Sequence, residues 1–384
     1  MAKLLYILRS MAMLAGTERV VSNKINWLAD HGYEVTLVTY EQGSHPLAFS
    51  LHPEVKVIDL DVRFFTIQHL PLYRRYIEYL RMRATFRKRL KRVVDDFCPD
   101  VILTTAYSLK VAGEIVKVRR KARLVIESHE TCFSVVKEYD YKSRPLMRQV
   151  AKYYDRQYYS RINCFDRLVT LTEGDANEWR KHVTSAIEVI PNPLTFYPSA
   201  LEEKPLQPYF RIISAGRLER VKGFDYLINA YALIAEKHPE WHVDIFGDGS
   251  CKDGLQALIA RHGLEHCITI QPPTTQIYDE YQRSDFYVLS SRHEGLGMVI
   301  LEAMSCGIPC VAFNCKYGPG EIITDGENGL LAEDRDIHSL ANAMEAMMEN
   351  RKEQLRMGKN ARETVMKYQK DAIMQRWVEL FKSL

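Results

Sequence analysis

Two carboxylates stand out in the stretch SSRHEGLGMVILEAMSCGIP, residues 290–309. Glu302 lies inside an apolar run, and Glu294 precedes it by eight positions, next to Gly295. A buried carboxylate without a partner costs several kcal/mol or becomes protonated. Vicinal hydroxyls bind carboxylates well, as when an acidic residue holds a ribose, and such a ligand would satisfy Glu302. A local Arg or Lys partner is the alternative explanation.

The loop that carries Glu294 has a counterpart earlier in the chain. FYVLSSRHEG predicts a strand and a loop before a helix that begins near Gly297, and SAGRLERVKGFDYLINAY predicts a strand that ends at Gly216. The second loop carries Arg217 and Lys222. Such a junction offers free backbone N–H groups and the positive end of a helix, and a guanidinium with an ammonium would suit a diphosphate. Ordinary solvated loop charges are the alternative.

Further glycine-bearing turns strengthen the pattern. FGDGS contains Gly247, and GPGEIITDGENGLL at residues 318–331 places Gly318 and Gly320 before a short helix that holds Glu321. In the first half, MLAGTERVV puts Gly16 and Thr17 between a strand and its helix, and ESHET places His129 at the end of another strand. A histidine there could contact a sugar hydroxyl or a developing charge, whereas a core or capping histidine is the plain alternative. Several such turns at one sheet edge carry more weight than any single turn.

The elements that must position these residues alternate along the chain. KLLYIL, EVTLVTY, VKVIDLD, VILTTAY, RLVIESHE and RLVTLTE predict strands in the first half, and RIISAG, HVDIFG, ITIQP, FYVLSS, PCVAFN and GLLAE predict strands in the second. Helical segments separate them, so we expect parallel sheets covered on both faces. The fold class is therefore α/β, with two doubly wound domains, and the site is expected in the cleft between them.

The length of 384 residues favours two domains. Five prolines between residues 190 and 209 predict a linker, which gives a first domain at 1–195 and a second at 196–365. The segment 366–384 is strongly helical and could cross back onto the first domain, which periodicity does not decide.

Composition excludes several classes of protein. With 46% apolar and 26% charged residues, the chain is neither disordered nor fibrous. The sequence has no apolar run near the roughly 18 residues of a membrane span, and its first residues resemble a strand rather than a secretory signal, so we expect a cytoplasmic protein. The eight cysteines form no CxxC pair and match no zinc spacing, so no metal is expected.

The charge is unevenly distributed. Residues 1–195 hold 31 Lys and Arg against 22 Asp and Glu, a net charge of +9 within a chain of net charge +3. Much of this excess lies in an amphipathic helix predicted at 73–97, whose candidate contact residues are Arg74, Arg75, Arg81, Arg87, Lys88 and Lys91. Such a helix can lie peripherally on an anionic membrane or grip the pyrophosphate of a lipid-linked acceptor. A solvated basic face is the alternative; nucleic acid is disfavoured because no nucleic-acid motif accompanies it.

Taken together, GRLERVKG, the pair of glutamates eight residues apart, and GPGEIITDGENGLL resemble the family 4 glycosyltransferases of the GT-B fold, and AGTERVVSN resembles their N-terminal glycine-rich turn. The resemblance covers nearly the whole chain and is strongest at residues 210–335. It implies a retaining transferase that moves a hexosyl or N-acetylhexosaminyl group from a nucleotide-sugar. UDP is the favoured nucleotide, and no metal or other cofactor is required. A DxD motif at Asp59 and Asp61, typical of the other glycosyltransferase fold, is disfavoured by this context.

The resemblance also implies roles for individual residues. Arg217 and Lys222 would hold the donor diphosphate, Glu302 the ribose, and Glu294 would lie by the donor sugar, with His129 as a further catalytic candidate. The full set expected at the donor is Gly16, Thr17, Gly216, Arg217, Lys222, Gly247, Glu294, Gly295, Leu296, Gly297 and Glu302. Ala15 departs from the Gly-Gly common in the family's first turn, and its added methyl could narrow the approach of the backbone to a ligand.

The expected product is a surface polysaccharide or similar glycoconjugate built on a glycan or lipid-linked acceptor. Two rival functions remain on the same fold. One is a catalytically inactive subunit that only binds nucleotide-sugar, and the other is a sugar-nucleotide epimerase.

Overall fold

The computed structural model describes residues 2–13, 16–129, 131–132, 156–201 and 208–384. The chain forms two compact units. Unit 1 comprises Met1–Ile190 together with Met374–Leu384, and unit 2 comprises Pro191–Ile373.

Unit 1 is built on a seven-stranded parallel sheet in the order β3-β2-β1-β4-β5-β6-β7. Its strands are β1 Lys3–Leu8, β2 Glu34–Thr39, β3 Lys56–Asp59, β4 Val101–Thr105, β5 Arg123–Glu127, β6 Arg167–Thr170 and β7 Ala186–Val189. Its helices are α1 Gly16–Asp30, α2 Leu72–Phe97, α3 Ala112–Val118 and α4 Glu173–Trp179, and residues 156–162 are also helical.

Unit 2 is built on a six-stranded parallel sheet in the order β10-β9-β8-β11-β12-β13. Its strands are β8 Phe210–Ala215, β9 Trp241–Phe246, β10 Ile268–Gln271, β11 Phe286–Leu289, β12 Cys310–Phe313 and β13 Gly329–Ala332. The helices are α5 Phe224–Ala232, α6 Lys252–His262, α7 Ile277–Arg283, α8 Met298–Ser305, α9 Pro319–Ile322, α10 Ile337–Glu349, α11 Arg351–Thr364 and α12 Lys370–Ser383. Residues from Met374 onward in α12 belong to unit 1.

Local sequence explains where the helices begin and end. The Asp336 carboxylate accepts hydrogen bonds from the backbone of His338 and Ser339 and so caps α10. The Thr172 hydroxyl caps α4 in the same way. Gly32, with φ at +81°, ends the turn after α1 in the left-handed conformation that glycine adopts without strain.

The sequence-based expectation of two parallel α/β sheets is confirmed, and all twelve predicted strands are present. One strand, β7, was not predicted. Its residues Ala186–Val189 are exposed or half-buried at the sheet edge, so they lack the continuous apolar run that marks a central parallel strand. Within the described ranges, no helix combines the length and apolarity needed to cross a bilayer.

Candidate functional site

The strand order of unit 2 reverses direction between β8 and β11. In a doubly wound sheet, ligands bind at the carboxyl ends of the strands beside such a reversal. Tyr287 pairs with Ile213 across these two strands, and its hydroxyl donates to the carbonyl oxygen of Ala215 at 3.1 Å. The loops that carry the two predicted groups of site residues therefore leave the sheet side by side.

Gly223 fixes how closely these two loops approach. It adopts φ of +65° at the start of α5, and a Cβ atom there would lie 2.0 Å from the carbonyl oxygen of Ser290. The backbone N–H of Arg292 donates to the carbonyl of Val221 at 2.8 Å, which ties the loops together a second time. Only glycine permits this contact, because any side chain would push the loop off the end of β11.

Lys222 and Glu294 meet directly. The Lys222 ammonium lies 2.7 Å from Glu294 Oε1, and the Ser291 hydroxyl donates to the same oxygen at 2.6 Å. The Glu294 side chain is only 9% exposed, so both contacts operate where water screens them little. Within the described part of the chain, Glu294 Oε2 forms no hydrogen bond or ion pair. The pair therefore keeps one carboxylate oxygen and two ammonium hydrogens for a ligand.

Arg217 occupies the exposed first turn of the loop after β8. Its guanidinium makes no hydrogen bond or ion pair to any residue in the described ranges. The loop itself is fixed, because Leu218 donates to the carbonyl of Asp248 at 2.8 Å and the Ser250 hydroxyl donates to Glu219 at 2.6 Å. Arg217 is thus a cation presented by a rigid loop, available to an anionic ligand.

The loop after β9 packs tightly against the loop after β8. A Cβ atom at Gly247 would lie 2.0 Å from the carbonyl oxygen of Gly216, and one at Gly249 would lie 2.7 Å from that of Leu218. The predicted Gly216 and Gly247 therefore lie against each other, and glycine is required for this backbone contact.

Glu302 is the fifth residue of α8 and is 3% exposed. The helix begins after Gly297, whose φ of +88° turns the chain out of the Glu294 loop. Leu296, which precedes Gly297, is buried, and Gly295 is half-buried. Burial raises the pKa of the neighbouring Tyr281 hydroxyl, and the charge of Glu302 raises it further. The apolar run around Glu302 predicts burial, and the low exposure of this residue confirms it.

Unit 1 has its own reversal, between β1 and β4. Gly16 begins α1 just after β1, and a Cβ atom there would meet nothing within 4 Å. Thr17 is half-buried in the same turn. Ala15 lies outside the described residues, so the expected narrowing by its methyl group stays a prediction.

His129 belongs to a buried charged cluster in unit 1. Its Nε2 lies 3.1 Å from Glu127 Oε2, and Glu127 is ion-paired with Lys24 of α1. Burial by itself would raise the pKa of Glu127, but Lys24 and His129 outweigh it and lower this pKa to about 2. Burial also lowers the pKa of Lys24, against the opposing effect of Glu127. A Trp377 ring from α12 lies 4.1 Å from the Lys24 ammonium.

Sequence reasoning missed Lys24, Glu127 and Ser291. A signal for Lys24 was present, since it follows Val20 and Val21 at helical spacing on the buried face of α1. The same argument that singled out Glu302 applies to it. Ser291 carried no signal of its own, because its role depends on the fold of the loop.

The predicted contact residues of α2 divide into two groups. Arg81 pairs with Glu78 at 2.5 Å, Lys91 with Asp95 at 2.5 Å, and Arg87 lies 3.5 Å from Glu114. Arg74, Arg75 and Lys88 form no ion pair with any described residue.

Asp59, from the disfavoured DxD motif, accepts hydrogen bonds from Thr39 and Gly43 within unit 1.

Two family models match the chain. The model described as "Glycosyl transferase 4-like domain" matches residues 15–193, and the model described as "Glycosyl transferases group 1" matches residues 201–364. The first falls on unit 1 and the second on unit 2, where the reversal between β8 and β11 lies.

Relatives and solved structures agree with these models. The chain is 27% identical over 382 residues to an uncharacterized glycosyltransferase of Haemophilus influenzae, covering 98% of this chain and 99% of that protein. It is 26% identical to the amylovoran biosynthesis glycosyltransferase AmsD of Erwinia amylovora, covering 85% and 84%. The structure of Anabaena HepE in complex with UDP superposes with a TM-score of 0.76 at 20% identity, covering 100% of each chain. The chain belongs to the family 4-like glycosyltransferases of the GT-B fold.

Proposed function

We propose that this glycosyltransferase transfers a hexosyl or N-acetylhexosaminyl group from a UDP-sugar, with retention of configuration, to a glycan or lipid-linked acceptor. The observation that carries the proposal is the contact of Lys222 with Glu294 at the reversal of the unit 2 sheet, beside the exposed Arg217. Two similar proteins support it, since one is a glycosyltransferase of amylovoran biosynthesis and the other was solved in complex with UDP.

Arg217 and Lys222 are proposed to stabilise the diphosphate leaving group. When the bond between the anomeric carbon and the diphosphate oxygen breaks, its electron pair stays on the diphosphate. Arg217 and Lys222 stabilise that charge as fixed groups that need no rearrangement during the reaction. The side-chain cations do what a metal ion does in other enzymes, which is why we propose that no metal is required.

Glu294 is suited to orienting the sugar rather than attacking it. Its Oε1 is already held by Lys222 and Ser291, which lowers its nucleophilicity, and Oε2 is left to accept from a sugar hydroxyl. The acceptor oxygen then attacks the face that the diphosphate leaves, through an oxocarbenium-like transition state. Its proton passes to the departing phosphate oxygen, and the new bond keeps the configuration of the old one.

Glu302 and His129 complete the proposal. Glu302 would accept hydrogen bonds from the ribose hydroxyls, a role that the resemblance implies and that suits a buried carboxylate in the helix after the Glu294 loop. His129, whose Nε2 lies 3.1 Å from the Glu127 carboxylate in unit 1, stays a candidate for contact with a sugar hydroxyl.

The decisive experiment is a donor screen with purified protein, in which UDP- and GDP-sugars are compared and released nucleotide is measured with and without a lipid-linked acceptor. We expect release of UDP, and a product with the anomeric configuration of the donor by NMR. A product of inverted configuration would overturn the retaining mechanism, and release of GDP alone would overturn the choice of nucleotide. Binding without any release would identify an inactive subunit, and conversion of one UDP-sugar into another would identify an epimerase.

Matched variants assign the residues. Arg217→Ala and Lys222→Ala should each lower kcat roughly 10²–10³-fold, since each removes one preorganised partner of the leaving group. Arg220→Ala is the control, because Arg220 is an exposed cation in the same loop whose side chain has no partner in the described part of the chain. Near-normal turnover in Lys222→Ala, or an equal loss in Arg220→Ala, would contradict the assignment.

A further inference from the structure

Exposed large hydrophobic side chains of the described residues concentrate in the first half of α2. The helix runs over 26 residues, yet its fully buried side chains are Phe86, Leu90 and Val94, all in its second half. Of sixteen large hydrophobic side chains that are exposed among the described residues, five fall within nine consecutive positions of this helix. They are Leu72, Tyr73, Tyr76, Ile77 and Leu80. We call these five residues the apolar patch.

Basic residues flank the patch along one side of the helix. Steps of four lead from Leu80 through Ala84 to Lys88 and Arg92, each step turning about 40° further round the helix, and all four residues are exposed. Arg74 lies beside the patch, with its guanidinium 5.8 Å from the ring of Tyr73. Among the described residues, Arg74, Lys88 and Arg92 have no carboxylate partner. The face therefore combines exposed apolar side chains with cations whose charge is not neutralised within the protein.

We propose that this face of α2 docks unit 1 onto an anionic lipid bilayer, with the apolar patch in the boundary between headgroups and acyl chains and the three cations on headgroup phosphates. Tyrosine favours that boundary, because its ring is apolar and its hydroxyl remains hydrated. A helix that lies in the membrane plane has this arrangement of an apolar strip flanked by Lys and Arg. The inference concerns a surface of unit 1 and does not depend on the donor site of unit 2.

Other occupants satisfy only part of the surface. A second copy of the chain, packed through the same face, would bring Arg74, Lys88 and Arg92 of both copies together without anions between them. A soluble polyanion would neutralise the cations but leave Tyr73, Ile77 and Leu80 in water. An anionic bilayer satisfies the cations and the apolar patch at once.

The test is co-sedimentation of the full chain with phosphatidylcholine vesicles, with and without phosphatidylglycerol. We expect binding to the anionic vesicles that weakens as salt rises. Replacing Arg74, Lys88 and Arg92 together by Gln should lower the partition coefficient about a hundredfold, at roughly fivefold for each cation. Replacing Tyr73, Ile77 and Leu80 together by Ser should lower it at least about tenfold, because less apolar surface is buried.

Controls of equal charge and polarity come from unit 2. Arg261, Lys352 and Lys359 are exposed cations that form no ion pair with a described residue, and their joint change to Gln should leave vesicle binding unaltered. Leu355→Ser is the apolar control, since Leu355 is 58% exposed. Lys222→Ala should also bind vesicles normally. An unchanged thermal transition of unit 1 in calorimetry shows that the α2 variants are folded.

A tryptophan reporter tests contact with the bilayer directly. In Tyr76→Trp, brominated lipids should quench the new tryptophan, whereas in Leu355→Trp they should not. The proposal is overturned if wild type does not sediment with anionic vesicles, if either α2 variant binds as wild type does, or if the reporter in α2 stays unquenched. It is also overturned if the apolar variant instead converts a dimer into a monomer on size exclusion.

Discussion

At the scale of single residues, both units bury charged groups close to the ends of their strands. In unit 2, Lys222 and Glu294 are partly buried and paired. In unit 1, Lys24 and Glu127 are almost fully buried and paired, with His129 against the carboxylate. Removing one member of a buried pair leaves an uncompensated charge, so the cost is far larger than for a pair on the surface.

The first prediction concerns Lys24→Met. We expect a loss of about 3–5 kcal/mol in the free energy of unfolding, because Glu127 would remain buried without its cation. The double variant Lys24→Met with Glu127→Leu should recover most of this loss, since neither charge then remains. Denaturant unfolding of the three variants and the wild type forms a double-mutant cycle that measures the coupling. Lys3→Met, which breaks the exposed pair with Glu34, should cost less than about 1 kcal/mol.

The same variant has a defined pH dependence. In wild type the pKa of Glu127 is lowered to about 2 from a usual value of 4.5. Its contribution to stability is therefore complete above about pH 4.5 and is lost as the pH falls toward 2. Without Lys24, burial dominates and raises the pKa of Glu127, so protonation of this carboxylate at low pH stabilises the variant relative to neutral pH. The stability gap between wild type and Lys24→Met should narrow below neutral pH; a constant gap between pH 7 and 4 would contradict this account.

The residues of the proposed donor site stand out in the sequence because their types conflict with their surroundings. Glu302 in an apolar helix and two cations in a glycine-bearing loop both required a ligand or a partner. The direct contact of Lys222 with Glu294, 72 positions apart, could not be predicted from either loop alone. It depends on β8 and β11 being neighbours in the sheet, and local periodicity does not indicate which strands pair.

At the scale of elements, the loops after β8, β9 and β11 are held by backbone contacts that only glycine permits. Central strands were predictable from their short apolar runs, because both faces of a parallel strand are buried. The edge strand β7 was not, because most of its residues keep contact with water. The positions of the loops follow from the pairing of the strands and from left-handed glycines. They can therefore be predicted only once the order of strands in the sheet is known.

The second prediction uses two glycines of matched conformation. Gly223 and Gly263 have φ of +65° and +68°, but a Cβ at Gly223 would lie 2.0 Å from the Ser290 carbonyl oxygen, whereas one at Gly263 would meet nothing within 4 Å. Gly263→Ala should therefore cost only about 1–2 kcal/mol of backbone strain and leave UDP affinity unchanged. Gly223→Ala should cost more and weaken UDP binding at least about tenfold, because the Lys222 loop must move.

Isothermal titration with UDP and denaturant unfolding distinguish the two effects. If Gly223→Ala bound UDP as tightly as Gly263→Ala does, the close contact with Ser290 would have no part in placing Lys222.

At the scale of the whole molecule, two parallel sheets each have their own core and their own reversal of strand order. The excess positive charge of residues 1–195 was visible in the sequence, but its division into paired and unpaired cations on α2 was not. Residues 374–384 also join unit 1 although they follow unit 2 in sequence. The return of this segment to unit 1 depends on contacts between side chains far apart in the sequence, such as the Lys24 ammonium over the Trp377 ring.

The last prediction compares one tryptophan from each unit. Trp377 and Trp241 are each 2% exposed, the first in unit 1 and the second in the core of unit 2. Changing either to Ala should cost about 3–5 kcal/mol, because a large buried ring is replaced by a cavity. A ligand stabilises only the folded form that binds it, by about 2.7 kcal/mol at a hundred times its Kd. Since UDP is proposed to bind unit 2, it should raise the lowered thermal transition of Trp241→Ala.

The corresponding transition of Trp377→Ala should not move when UDP is added, because the weakened unit carries neither Arg217 nor Lys222. Calorimetry at saturating UDP measures both variants under one condition, and Lys222→Ala in the Trp241→Ala background should abolish the shift. Equal shifts in the two tryptophan variants would mean that the units unfold as one, which would contradict the assignment of UDP binding and of the unfolding transition to unit 2 alone.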